Sequence, residues 1–74
     1  MDIRVECYAG YRGEEEPRTF HLGERRVEIM EILDRWLDPR HRYFKVQAYD
    51  GATYILRHDE DANRWEMKWF DSQG

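Results

Sequence analysis

Residues 43–56, YFKVQAYDGATYIL, constrain the fold more tightly than any other stretch, because Asp50-Gly51 marks a turn and the apolar residues on either side allow only one register. If Asp50 and Gly51 were the two central residues of a hairpin, Tyr49 would oppose Ala52, and Phe44, Val46 and Ala48 would share a face with Thr53, Ile55 and Arg57. A three-residue loop, Tyr49-Asp50-Gly51, with Gly51 in the left-handed region, instead sets Ala48 against Ala52, Val46 against Tyr54 and Phe44 against Leu56. That face is wholly apolar. Since a slip of one residue sends a strand's apolar set to the other side, the second register is the expected one. Tyr43, Lys45, Gln47, Thr53, Ile55 and Arg57 then lie on the opposite face.

The rest of the chain reads largely as strands. In IRVECY, Ile3, Val5 and Cys7 alternate with Arg4, Glu6 and Tyr8, the period of a half-buried strand. AGYRGEEEP has the glycines, acidic triplet and proline of an exposed loop. RTFHLGERRVEI reads as a hairpin with Gly23 first in a type II′ turn, pairing Leu22 with Arg25, Phe20 with Val27 and Arg18 with Ile29. VEIMEILDRWLD supports two readings. Ile29, Met30, Ile32, Leu33, Trp36 and Leu37 lie within one arc of a helical wheel, so a helix over about 25–37 packed on a sheet, an α+β fold, is the alternative. The preceding Gly23-Glu24 turn, the missing N-cap and the β-branched Val27, Ile29 and Ile32 favour a long strand with a bulge near Met30-Glu31.

Near the C-terminus a loop around residues 59–62 joins two strands. Pairing His58 with Asn63 places Leu56 opposite Trp65, Tyr54 opposite Met67 and Ala52 opposite Trp69, so Trp65, Met67 and Trp69 extend the core face. Six short strands in so few residues cannot leave one face of a flat sheet bare. The expected fold is therefore all-β, a curled antiparallel sheet or SH3-like barrel of five to six strands, with residues 1–74 as one small domain.

Composition narrows the function classes. The chain is 41% hydrophobic and 15% aromatic, which suits a folded domain, and its net charge of −4 argues against holding nucleic acid by bulk charge, leaving only a local basic face. Cys7 is the single cysteine, so no intramolecular disulfide forms, and no apolar run is long enough to span a bilayer. With a start, MDIRVE, that lacks a secretory pattern, a cytoplasmic location and no membrane partner are expected.

No motif carries catalytic chemistry. Asp59, Asp61 and Asn63 match the first positions of an EF-hand calcium loop, but Arg64 stands where the turn needs glycine and Phe70 where it needs a bidentate Glu. His21, His41, His58 and Cys7 lack zinc-ligand spacing, and Gly10 and Gly13 lead into three glutamates that would repel phosphate. No cofactor and no metal are expected. The informative surface is the outer face of the last three strands, where Tyr43, Lys45, Ile55, Arg57, Lys68 and Phe70 mix cationic and aromatic groups as a candidate binding face.

The order RRVEIMEILDRW, YFKV, DG, YILRHDE, RWEM, over roughly residues 18–70, resembles a small uncharacterised family of bacterial β-rich domains. More loosely, it is similar to the C-terminal tails of proteins related to Y-family translesion DNA polymerases. The resemblance implies an all-β fold and a bacterial cytoplasm, and assigns no functional residue. The expected function is that of a non-enzymatic binding module for another protein. The alternative is a nucleic-acid-associated accessory domain in a DNA-repair context, using the basic and aromatic face.

Overall fold

The computed structural model describes residues 2–9 and 15–72, which form six strands: β1 (Asp2–Ala9), β2 (Glu15–Leu22), β3 (Arg25–Leu37), β4 (His41–Ala48), β5 (Thr53–Asp59) and β6 (Arg64–Asp71). Each strand pairs antiparallel with the next, and β6 returns to β1, closing a barrel. The all-β expectation holds. Residues 25–37 form one extended strand, with irregularities at Met30 and Leu33. The helical alternative fails because Ile29 and Ile32 must meet Ala48 and Val46 across a ladder, which a helix cannot offer.

The β4–β5 hairpin has the expected register, Phe44 opposite Leu56 and Val46 opposite Tyr54. Gly51 has φ 89°, and the loop is closed by Gly51 N–H donating to Ala48 C=O at 3.1 Å and Ala48 N–H donating to Ala52 C=O at 2.9 Å. All six residues of the expected inner face are buried, as is Trp65. The β2–β3 turn also follows expectation, with Gly23 at φ 60° and Phe20 opposite Val27. The expected Arg18–Ile29 pair is absent because the β2–β3 ladder ends at Thr19 and Glu28.

Three expectations need correction. The acidic stretch is not wholly a loop: Glu15, Glu16 and Pro17 belong to β2, and Pro17 is buried beside a bulge in the β1–β2 ladder. Proline tolerates that irregular site because one ladder donor is already dispensable there. Residues 10–14, including Gly10, Gly13 and Glu14, lie outside the described residues. The β5–β6 hairpin pairs Asp59 with Arg64 and His58 with Trp65, not His58 with Asn63. Its turn is set by the Asp59 carboxylate, which accepts the N–H groups of Asp61 and Ala62 at 3.1 and 3.2 Å, and by Asn63, which adopts φ 48°. Asn is among the few residues that take that conformation readily.

Lastly, β6 holds one extra residue. Leu56 faces Met67 but Ile55 faces Trp69, so Lys68 is the bulge and everything beyond it changes side. Trp69, expected in the core, is 46% exposed on the outer face. Phe70, expected outside, stands opposite Tyr54 on the inner side, at the rim, with ring centroids 5.4 Å apart.

The core is a ring-rich cluster. Phe20 meets Tyr54 edge-on at 4.9 Å, and Trp65 lies between Phe44 at 5.7 Å and the His58 imidazole stacked on it at 4.3 Å. The Tyr54 ring is fully buried, and its hydroxyl donates to Asp50 Oδ2 at 2.8 Å. Asp50 also accepts Ala52 N–H at 2.8 Å and Arg25 Nη2 at 2.6 Å, so one carboxylate joins the β4–β5 turn to the start of β3. Burial first, and the bond to Asp50 next, push the Tyr54 phenol up to about 12.

Asp50→Ala is expected to cost about 2 kcal/mol in urea unfolding, because a buried hydroxyl loses its acceptor, whereas Tyr54→Phe, which removes the donor itself, costs about 1 kcal/mol. The double variant should cost less than the sum. Strict additivity would show that the two groups are not coupled. At Gly51 an added Cβ would meet nothing within 4 Å, so Gly51→Ala should cost only the backbone strain of a positive φ, about 1 kcal/mol.

Candidate binding surface

The ladder registers lay out the outer face of β3–β6 in rows. Trp36, Tyr43, Arg57 and Glu66 form one row; Asp34, Lys45, Ile55 and Trp69 form the next; Glu31, Gln47, Thr53 and Asp71 form the third. Tyr43, Lys45, Ile55 and Arg57 are thus brought together as the sequence suggested. Lys68 sits at the edge of this group on the β6 bulge, and Phe70 leaves it for the inner rim. Trp36 and Trp69 are the residues that sequence reasoning missed. Trp36 was compatible with a helix face, and Trp69 continued an apparently unbroken alternation from Trp65.

Trp36 and Tyr43 stack across the β3–β4 ladder, with ring centroids 5.3 Å apart and planes 5° from parallel. Tyr43 is held from below. Its hydroxyl donates to Asp38 Oδ2 at 2.9 Å, while Asp38 Oδ1 accepts the backbone N–H groups of Arg40 and His41 at 2.8 and 2.7 Å. The Asp-Pro sequence explains this turn: proline breaks the strand, and the aspartate side chain replaces the lost ladder bonds. The Arg40 N–H, followed by the Tyr43 hydroxyl and His41, holds the Asp38 carboxyl down at about 2.

Beside the stack, a groove of about 460 Å³ is lined by Arg35, Trp36, Leu37, Arg42, Tyr43 and Phe44. Its two arginines are turned to carboxylates, Arg35 to Glu16 at 3.5 Å and Arg42 to Glu60 at 3.6 Å. A second hollow, about 470 Å³, lies where β1 meets β6 and is lined by Ile3, Val5, Cys7, Asn63 and Trp65 among others. It lacks the exposed aromatic wall of the first.

The cations of the outer face stand among carboxylates. Arg57 Nη2 binds Glu66 Oε1, and this hydrogen bond is the largest influence raising the guanidinium and lowering the carboxyl. Lys45 stands opposite Asp34. With Glu31, Glu66 and Asp71 on the same rows, the face is not a contiguous positive field. Exposed apolar side chains are most frequent on β3, where Met30, Leu33, Trp36 and Leu37 are 45%, 43%, 39% and 73% exposed, Trp36 on the outer face and Leu37, opposite Arg42, on the other; Trp69 is exposed at the β6 end of the outer face. No grouping of histidine, cysteine and carboxylate side chains able to hold a metal occurs among the described residues, and no helix among them is long and apolar enough to cross a membrane.

No protein-family model matches the chain, and neither the curated proteins nor the solved structures include a match.

The Asp38 network predicts a pH dependence. Its carboxyl titrates lower when folded, about 2, than the ordinary 3.8, so as pH falls through 3.8 the unfolded chain takes up the proton first and stability declines until pH nears 2. Urea midpoints measured from pH 5 to pH 2 for wild type and Asp38→Asn should therefore converge across that window. Parallel curves would mean that Asp38 is not tied to the fold in this way.

Proposed function

We propose that this chain is a small non-enzymatic binding module whose partner is another protein, engaged through the Trp36–Tyr43 stack and the exposed end of β3. The observation that carries this reading is the run of Met30, Leu33, Trp36 and Leu37 at solvent-exposed positions on one strand, more exposed large apolar side chains than any other strand shows among the described residues. Scattered exposed apolar residues are ordinary, but a group of this kind marks a surface that gains by being covered. A preformed aromatic stack adds rigid contact area that loses little freedom on binding.

The charge pattern favours a protein over a nucleic acid. Phosphates would meet Asp34, Glu31, Glu66 and Asp71 on the same face as Lys45 and Arg57, and Arg57 already has a carboxylate partner. An accessory role in DNA repair would then run through a protein contact. A bacterial cytoplasm suits a chain with one cysteine.

A photo-crosslinking residue placed at Leu37, in cells that express the protein natively, tests the reading, with the same residue at Arg26 as an exposed control. A discrete protease-sensitive adduct from position 37 and none from position 26 is expected. A nuclease-sensitive adduct would transfer the case to the nucleic-acid alternative, and equal labelling from both positions, or none, would remove the reading.

A further inference from the structure

The open side of β3 gives the binding reading a particular form. Thr19–Glu28 is the last β2–β3 pair, and beyond it, among the described residues, β3 pairs only with β4. The Asp38 N–H donates to His41 C=O at 3.0 Å, toward β4. Backbone groups alternate sides along a strand, so Trp36 also points to β4, and the N–H and C=O of Arg35 and Leu37 point away from it. A strand edge of this kind is a template for one more strand.

The edge is guarded. Asp34 Oδ1 accepts the Arg35 N–H at 2.8 Å, filling the place where an incoming strand's carbonyl would sit. This guard selects the occupant. A second copy is disfavoured, because two β3 strands meeting antiparallel about Asp34 with their outer faces level would oppose two carboxylates, in a chain of net charge −4. A strand with a lysine or arginine opposite Asp34 does the reverse, drawing the carboxylate off the N–H and taking the vacated bond. Neither neighbouring cation cancels this preference: the Arg35 guanidinium lies toward Glu16, and Lys45, though opposite Asp34 on β4, is not ion-paired with it.

Building on the binding reading above, we propose that the edge around Leu33–Leu37 receives an extended basic segment of the partner as an added strand, with a cation opposite Asp34 and apolar contact to Trp36 and Leu37. Backbone pairing supplies the alignment, and the Asp34 guard supplies the charge preference. The guard also keeps the edge from pairing with neutral or acidic strands.

Three capped peptides serve as probes: one of alternating lysine and valine, its counterpart with glutamate for lysine, and the lysine peptide N-methylated at alternate residues. Amide exchange of the full chain is read by NMR. The lysine peptide is expected to slow exchange at Arg35 and Leu37 at least about tenfold and to weaken with salt, while the other two do neither. Asp34→Ala, at an exposed position, should reduce binding of the lysine peptide and its salt dependence together. Equal binding by the N-methylated peptide would overturn strand addition, and equal binding by the glutamate peptide would overturn the charge preference. Protection that appears without peptide and grows with protein concentration would assign the edge to a second copy. If no peptide protects these amides while the crosslink from position 37 persists, this inference fails and the wider reading stands; loss of the crosslink removes both.

Discussion

The hydrogen bond from the buried Tyr54 hydroxyl to Asp50 ties together parts of the barrel that are distant in sequence. A phenol in an apolar interior is stable only if its polar end finds an acceptor, and here that acceptor sits on the hairpin loop that sets the β4–β5 register. Because the same carboxylate takes Arg25 and the Ala52 N–H, the loop cannot shift without disturbing the beginning of β3 and the packing of Phe20 on Tyr54. Local turn chemistry and global closure thus meet in one side chain.

From that fixed point, bulges decide which residues the barrel shows to the outside. The irregularities at Met30 and Leu33 interrupt the β3–β4 ladder and leave those two side chains exposed. The bulge at Lys68 sends Trp69 outward and returns Phe70 to Tyr54. The candidate surface therefore results from places where the strict alternation of a strand is broken, and only partly from the alternation itself.

This explains what could be read beforehand. The β4–β5 register was legible because only one pairing collects Phe44, Val46, Ala48, Ala52, Tyr54 and Leu56 on one side, and the β2–β3 turn was legible because Gly23 marks it. Tyr43, Lys45, Ile55 and Arg57 followed from the first of these. The end of β6 was not legible: Trp65, Met67 and Trp69 keep a period of two, and with apolar residues on both sides of the slip, hydrophobicity is silent about it. The four-residue turn before β6 depends on an Asp59 side chain capping two amides, a contact that spacing does not reveal. Pro17 was misread for a similar reason, since proline signals a loop unless a bulge accommodates it.

The closing seam is the thinnest part of the barrel, with β1 and β6 joined, among the described residues, only at Asp2–Glu66 and Ile3–Trp65. Every other ladder links strands adjacent in sequence, so its loop is short. The seam alone must bring together chain segments some sixty residues apart, which carries the largest loss of chain freedom for the fewest backbone bonds. Folding kinetics should reflect that imbalance: a meander of hairpins assembles early, and the sheet rolls up last. The native barrel would breathe first along the same line, exposing Trp65 and the β1 residues beside it before the hairpin cores loosen.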